Sequence, residues 1–406
     1  MKHFIIGTQL VDLTMSNLGP EIETPPNVRF GDDRERILGI QWSPNTDVLN
    51  FETRINFSKK KRGARSGPDI PEESFDSLFP HQLTLRMYLS QMASLFDPLG
   101  LASAFTIIMK HELGRIFALG GHWDDPIPHD SSNEKANHDR CKAIIRMLYD
   151  LARVEFPRCL RPMDTPQDCT PVLVMMSDGS QTAYGAMCFF NWKTAEGPRA
   201  TRLVCAKAKP LPKRPPLLTI PRAELSGALL GVRLIKAVLE QSTYSIDQVF
   251  CLTDSTIVLG QVNNPPSRFK PWVSTRLDEI RQDTQLHQWY HVDGTENAAD
   301  DLTRGLNPSQ MGPHSRYQNG PEFLSLPIEE WQIKPIQHAA AKAGEADNDA
   351  LLEVRHRDPR MLQCQPKHSS SLTQAPSSLM SYLTTLDIAE PDPSESWKNS
   401  AGKLPE

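Results

Sequence analysis

The pattern of apolar and polar positions in residues 171–306 predicts an alternation of strands and helices. Strand-like apolar runs occupy 172–176, 184–192 and 200–207, and the turn-forming Asp178-Gly179-Ser180 follows the first of them. These runs predict a three-strand meander. A helix is expected to open at Pro221, because apolar residues then recur at i, i+4 and i+7 and proline is tolerated in a first turn.

The same pattern continues to the end of this region. A buried strand is expected at 249–252, a helix from Ser255, another helix at about 272–283, a strand at 288–292 and a short helix after Gly294. The resulting order β-β-β-α-β-α-α-β-α predicts an α/β fold, in which a mixed sheet is flanked by helices.

The residues on either side give weaker patterns. Short strand-like pieces at 37–42 and 48–55 precede a helical pattern over 83–117, which Asp97-Pro98-Leu99-Gly100 must end or turn sharply. The basic run 59–65 is interpreted as a solvated loop, with nucleic-acid contact or a nuclear address as alternatives. From residue 339 onward, few aromatics and many Ser, Pro, Asp and Glu predict disorder.

Composition limits the class of protein. The chain has 406 residues, 23% of them charged, and a formal net charge of -5, which favours two or three soluble domains. No apolar run approaches the roughly 18 residues of a membrane span, and the first residues make a poor signal peptide. We therefore expect an intracellular protein, cytoplasmic or nuclear. The seven cysteines are scattered and are expected to be reduced thiols.

Four carboxylates stand at the ends of the predicted elements. Asp178 follows the first strand, Glu224 lies in the first turn of the long helix, Asp254 follows the next strand, and Asp300 lies near the start of the last helix. Loops and helix starts at one edge of a mixed sheet converge, so these acids can share one site.

Carboxylates that lie close together must share protons or bind cations, and hard oxygen ligands suit Mg²⁺ or Mn²⁺. Two such ions would activate a water and stabilise the leaving oxygen of a phosphodiester. Each acid taken alone has a commoner explanation. Asp178 and Asp254 could be turn or N-cap residues, Glu224 a partner of the helix dipole, and Asp300 a cap.

The sequence around each acid resembles a motif of a known family. The four segments are Met-Ser-Asp-Gly-Ser at 176–180, Ile-Pro-Arg-Ala-Glu-Leu at 220–225, Leu-Thr-Asp-Ser at 252–255, and Asn-Ala-Ala-Asp-Asp-Leu-Thr-Arg-Gly at 297–305. In order and spacing they resemble the acidic motifs of the ribonuclease H domain in Pao/BEL-type LTR retrotransposons. The resemblance implies a ribonuclease H-like fold and two-metal hydrolysis of the RNA strand of RNA·DNA hybrids.

Carried over residue by residue, the resemblance makes Asp178, Glu224, Asp254 and Asp300 both catalytic residues and ligands of two Mg²⁺ or Mn²⁺ ions. The family usually reads Asn-Pro-Ala-Asp in the last motif, so Ala298 departs from it. The adjacent Asp301 leaves open which acid faces the metals. The alternative function is a catalytically inactive retroelement remnant that binds nucleic acid or protein.

The flanking segments also resemble parts of these elements. Segments 38–42, 89–101 and 123–126 are similar to the stretch between the polymerase palm and the ribonuclease H domain, and 320–324 resembles the linker before the integrase. The resemblance implies a reverse-transcriptase C-terminal or connection remnant at 1–165, a ribonuclease H-like domain at 166–310, a linker at 311–335 and a disordered tail at 336–406. The chain is thus expected to be a fragment of the polyprotein.

Several activities are not expected. No Tyr-x-Asp-Asp occurs, so polymerisation is excluded. This region of the family is sometimes called a peptidase, but the chain lacks Asp-Thr-Gly and Asp-Ser-Gly triplets. Many ribonuclease H enzymes place a mobile histidine before the last aspartate. The candidate here is His291, which the pattern instead predicts to lie in a strand.

A basic stretch precedes the Glu224 helix and is the candidate nucleic-acid contact. Its members are Arg199, Arg202, Lys207, Lys209, Lys213 and Arg214. Phosphate contacts of this kind position a duplex without reading its sequence, and a solvated face is the alternative. The expected partners are an RNA·DNA hybrid, recognised by its shape and 2′-hydroxyls, and other parts of the polyprotein, but not a membrane.

Overall fold

The computed structural model describes residues 35–37, 39–58, 60–61, 64–65, 67–119, 122–127, 136–195, 197–212, 218–337 and 353. The upstream part contains an antiparallel sheet of β1 (Glu35–Ile37), β2 (Ile40–Ser43), β3 (Val48–Phe51) and β6 (Phe156–Pro157). Its helices are α1 (Phe75–Leu78), α2 (Leu85–Met92), α3 (Ser103–Ala118) and α4 (Ala136–Ala152).

Part of the basic run forms a hairpin. Strands β4 (Lys60–Lys61) and β5 (Ala64–Arg65) pair antiparallel, with Lys60 opposite Arg65. The interpretation of this whole run as a loop was therefore wrong. Such a short pairing leaves little pattern in the sequence, since each strand contributes only two residues.

A six-strand mixed sheet forms the centre of the downstream part. Its order is β12-β11-β10-β7-β8-β9, and its strands are β7 (Val172–Gly179), β8 (Ala183–Trp192), β9 (Ala200–Pro210), β10 (Val249–Thr253), β11 (Trp289–His291) and β12 (Lys334–Pro335). Strands β7, β8 and β9 form the predicted antiparallel meander. Strand β10 runs parallel to β7 and to β11. The predicted mixed α/β sheet is confirmed.

Five helices accompany this sheet, and the first four of them follow the predicted order. They are α5 (Ile220–Gln241), α6 (Thr256–Asn263), α7 (Pro271–Asp283), α8 (Asp300–Arg304) and α9 (Arg316–Asn319). Helix α5 lies close to the sheet because two glycines face it. A Cβ at Gly227 would lie 2.5 Å from the carbonyl oxygen of Asp178, and one at Gly231 would lie 2.4 Å from the sulfur of Met175.

The two faces of the sheet bury separate hydrophobic cores. Alternate side chains of β7 divide between them, as expected of a strand that is buried on both faces. Leu173 and Met175 pack with α5, α6 and α7. Val174 and Met176 pack in a core that also contains Phe105 of α3 and other upstream residues. The core therefore continues across residues 165 and 166, where the sequence predicts a domain boundary.

The Asp97-Pro98-Leu99-Gly100 segment separates α2 from α3, which confirms the predicted break. The Asp97 carboxylate accepts hydrogen bonds from the N–H groups of Leu101 at 2.9 Å and Ala102 at 2.8 Å, and burial raises the pKa of Asp97 to about 6. Gly100 has φ +73°, and a Cβ there would lie 1.6 Å from the carbonyl oxygen of Ala206. The turn thus docks tightly on β9.

The remaining expectations concern cysteines, membrane spans and the tail. The six described cysteines are free thiols, as expected, and Cys364 lies outside the described residues. No helix in the described part of the chain is long and apolar enough to cross a membrane. Most of the predicted tail, 336–406, lies outside the described residues. The exceptions are 336–337 and 353, of which Ile336 is buried.

Candidate active site

Two of the predicted acids leave neighbouring parallel strands at the same edge of the sheet. Ser177 of β7 pairs with Thr253 of β10, so the next residues, Asp178 and Asp254, lie side by side. Asp178 still belongs to β7, whose last residue is Gly179, although the sequence predicted it just beyond the strand. Burial raises the pKa of Asp178, and the nearby charge of Asp254 raises it further.

The N-terminal part of α5 brings Glu224, its fifth residue, to this edge. A Cβ at Gly179 would lie 2.2 Å from the backbone nitrogen of Glu224, so only glycine allows this approach. The hydroxyl of Ser255 donates to Glu224 Oε2 at 2.7 Å, and its oxygen caps α6 by accepting from the N–H of Val258 at 3.1 Å. Glu224 is therefore fixed beside the residue that follows Asp254.

The buried amide of Asn297 joins these elements. Its Nδ2 donates to the carbonyl of Ser177 at 3.0 Å and to Asp254 Oδ1 at 3.0 Å. Its Oδ1 accepts from the N–H of Ala299 at 3.2 Å. Sequence reasoning missed this residue, because it weighed only the carboxylates of the last motif. An amide directly before Ala-Ala-Asp was the available signal.

The two adjacent acids of α8 have different surroundings. Asp300 Oδ1 pairs with Arg304 at 2.6 Å. Burial raises the pKa of Asp300, and the charge of Asp178 adds to this, while Arg304 opposes it. Asp301 is instead 11% exposed in its side chain and pairs with Arg316 at 2.6 Å. Of the two acids, Asp301 is therefore the more buried one, and it is held in a partly buried ion pair.

A threonine of the same helix contacts the first acid. The Thr303 hydroxyl lies 2.5 Å from Asp178 Oδ2 and 3.2 Å from the carbonyl oxygen of Asp300. The hydrogen bond that it donates lowers the pKa of Asp178 and so partly offsets the effect of burial. Thr303, like Asn297, is a positioning residue that the carboxylate pattern did not indicate.

The donor chemistry suits a hard divalent cation, but the carboxylates are not gathered tightly. Carboxylate oxygens are the preferred ligands of Mg²⁺ and Mn²⁺, and a cation would relieve the charge interactions that raise the pKa values of Asp178 and Asp300. Within the described residues, no group of three or more His, Cys, Asp or Glu is spaced to hold a metal ion. The salt bridge to Arg304 engages one of the four acids.

The described members of the predicted basic stretch differ in their surroundings. Burial lowers the pKa of both Arg199 and Arg202. Arg202 Nε is buried without a hydrogen-bond partner in the described part of the chain, while Arg199 donates to Asn191. Lys207 and Lys209 are half-buried in β9. The last two members, Lys213 and Arg214, lie outside the described residues.

His291 lies in β11, as predicted. It pairs with Thr253 of β10 on one side and with Lys334 of β12 on the other. Because its partner Thr253 directly precedes Asp254, the backbone of His291 is held beside the end of β10. This position is not in the loop that leads to Asp300.

A comparison with known proteins bears on this site. No curated protein matches the chain. The family model of the Pao retrotransposon-like RNaseH-like domain matches residues 84–255, a span that includes Asp178, Glu224 and Asp254 and also α2 and α3 upstream. The parallel and antiparallel pairing of the sheet agrees with a ribonuclease H-like fold. The match supports a Pao-type retrotransposon RNase H-like region over residues 84–255.

Proposed function

We propose that this region hydrolyses the RNA strand of RNA·DNA hybrids with divalent metal ions. The observation that carries the proposal is the parallel pairing of Ser177 with Thr253, since it sets Asp178 and Asp254 side by side. The contact of Gly179 with Glu224 adds a third acid at the same edge of the sheet. Asp300 supplies the fourth, and its charge interacts with that of Asp178.

Each residue of the site would have one of two roles, metal ligand or positioning residue. Asp178, Glu224, Asp254 and Asp300 would hold two Mg²⁺ or Mn²⁺ ions, which when bound supply an activated water and stabilise the leaving oxygen of the phosphodiester. Thr303 and Ser255 hold the carboxylates of Asp178 and Glu224 by donated hydrogen bonds. Asn297 orients Asp254.

Ion binding would require a local rearrangement. Arg304 now neutralises Asp300, and its side chain is 78% exposed. An exposed pair of this kind contributes only about 0–1 kcal/mol. Release of Arg304 into water would therefore cost little free energy, and it would leave the Asp300 carboxylate available to a cation.

A second candidate is a module that binds nucleic acid or protein without cleaving it. The pairing of Asp300 with Arg304 favours this alternative, as does the absence of a metal-spaced group of three acids among the described residues.

A cleavage experiment separates the two candidates. The full chain and Asp254→Asn are incubated with a labelled RNA·DNA hybrid and Mg²⁺, and cleavage and binding are both measured. Asp247→Asn is the matched control, because Asp247 is an exposed aspartate before the opposite end of β10. Cleavage by the parent chain and the control, but not by Asp254→Asn, supports the nuclease. Binding without cleavage in all three supports the second candidate.

A further inference from the structure

Two arginines share one indole ring beside the first turn of α5. The guanidinium carbon of Arg222 lies 4.8 Å from the ring centroid of Trp272, and that of Arg276 lies 3.6 Å from it. Arg276 also donates to the carbonyl of Trp272 at 2.9 Å. We call Arg222, Trp272 and Arg276 the Trp272 cluster. Cation–π contacts hold its two charges in place.

The Trp272 cluster has an excess of positive charge. The neighbouring Arg233 is matched by Glu279 in a two-contact ion pair of 2.5 and 2.8 Å. Among the residues that the structure describes, Arg276 forms no ion pair of this kind. Burial lowers the pKa of Arg276, and the charges of Arg233 and Arg222 lower it further. An anion beside Arg276 would therefore be stabilised.

A carboxylate from a distant part of the chain already occupies the cluster. Glu353 accepts from Arg222 through both oxygens, at 2.6 and 3.2 Å. Its backbone carbonyl accepts from the N–H of Lys270 at 2.8 Å. The side chain of Glu353 is only 8% exposed. Glu353 is therefore held against the Trp272 cluster by hydrogen bonds from both its side chain and its backbone.

We propose that the Trp272 cluster is a subsite for a backbone phosphate of a nucleic acid, and that Glu353 competes with this phosphate inside the free chain. An arginine fork binds carboxylate and phosphate with the same two-contact geometry. Arg222 precedes Glu224 by two residues near the start of α5, so a phosphate held there and the candidate active site would lie at the same end of this helix but on different faces of it. The inference rests on the proposed function for its substrate, but it is tested by binding alone.

The first test removes the charge of the competitor. Binding of a labelled RNA·DNA hybrid duplex to the full chain and to Glu353→Gln is measured in EDTA, where metal-dependent cleavage cannot contribute. Glu353→Gln is expected to bind roughly fivefold tighter or more, the low end of usual intramolecular coupling. The control is Glu240→Gln, which removes the same charge from an exposed position on α5 and is expected to bind like the parent.

The second test removes the subsite. Arg222→Ala is expected to bind more weakly and to reduce the slope of log affinity against log salt by about one. In the Arg222→Ala background, Glu353→Gln is expected to have no further effect. Arg281→Ala, in the last turn of α7, is the charge-matched control. Arg222→Gln replaces the alanine variant if the latter does not fold.

Two results would overturn the inference. One is unchanged hybrid binding by Glu353→Gln, and the other is a gain that persists when Arg222 is absent. A chain that shows the expected binding changes but never cleaves with Mg²⁺ would refute the proposed nuclease and leave this subsite intact.

Discussion

The buried amide of Asn297 donates to the carboxylate of Asp254 at 3.0 Å. The same nitrogen donates to the carbonyl of Ser177, so one side chain connects the ends of two neighbouring strands with the segment that leads to Asp300. Asn297 is fully buried. An unpaired polar group at such a position is costly, and the amide therefore stabilises both the fold and the orientation of Asp254.

Asn297→Ala tests this connection. Because it leaves the carbonyl of Ser177 buried without its donor, we expect the free energy of unfolding to fall by about 1–3 kcal/mol. Cleavage of the hybrid should fall as well, since Asp254 loses its orienting donor. Urea unfolding and a cleavage assay measure the two effects. Asn45→Ala removes an exposed asparagine and should change neither by much. Equal effects of the two variants would contradict the assigned role.

Asp178→Asn should stabilise the fold in a pH-dependent way. Burial and the charge of Asp254 raise the pKa of Asp178 above its ordinary value of 3.8. Ionisation therefore costs more in the folded than in the unfolded chain, and the penalty is present above the folded pKa and absent below the unfolded one.

The free energy of unfolding, measured in EDTA, should thus be higher for Asp178→Asn than for the parent near neutral pH. The difference should vanish as the pH falls below 3.8, the ordinary pKa of the group. Cleavage should be lost at every pH. A variant that is less stable than the parent at neutral pH would show that the ionised carboxylate is stabilising.

Gly179→Ala tests the close approach of β7 and α5. The added Cβ would lie 2.2 Å from the backbone nitrogen of Glu224 and 2.4 Å from the carbonyl carbon of Ala223. Because backbone atoms cannot rotate away, we expect destabilisation of about 1–3 kcal/mol or more and loss of cleavage. Thermal unfolding provides the measurement. A Cβ at Gly312 meets no atom within 4 Å, so Gly312→Ala should lie within about 0.5 kcal/mol of the parent.

The two adjacent acids of α8, Asp300 and Asp301, should respond differently when their charges are removed. Asp301→Asn breaks a partly buried charge-assisted contact with Arg316 and should cost about 1.5–3 kcal/mol. Asp300→Asn breaks only an exposed pair with Arg304 and should change stability by less than about 1 kcal/mol.

Cleavage should follow the opposite order, with Asp300→Asn inactive and Asp301→Asn active in proportion to its folded fraction. Unfolding and cleavage measured on the same preparations give both orders. An inactive but fully stable Asp301→Asn would instead assign the metal-facing role to Asp301.

The sequence by itself determined the order of strands and helices in the ribonuclease H-like region. The 2.0 and 3.6 residue periods report which side chains are buried, and that information is local. It placed Asp300 at the start of α8, as the structure has it. It placed Glu224 in a first turn, which was wrong, because α5 begins at Ile220 and Glu224 is its fifth residue. The assignment of the four acids as metal ligands and catalytic residues stays a prediction.

Only the tertiary structure decided which groups meet. The amide of Asn297, the hydroxyl of Thr303 and the carboxylate of Glu353 find partners 43, 125 and 131 positions away. Burial of Arg202 in β9 and of Arg199 just before that strand likewise follows from tertiary packing. Periodicity reports the face on which a residue lies, but not its neighbour there. A hydrogen bond or ion pair forms only when the distance between its two atoms is right to within a few tenths of an ångström. The packing of the whole chain sets that distance.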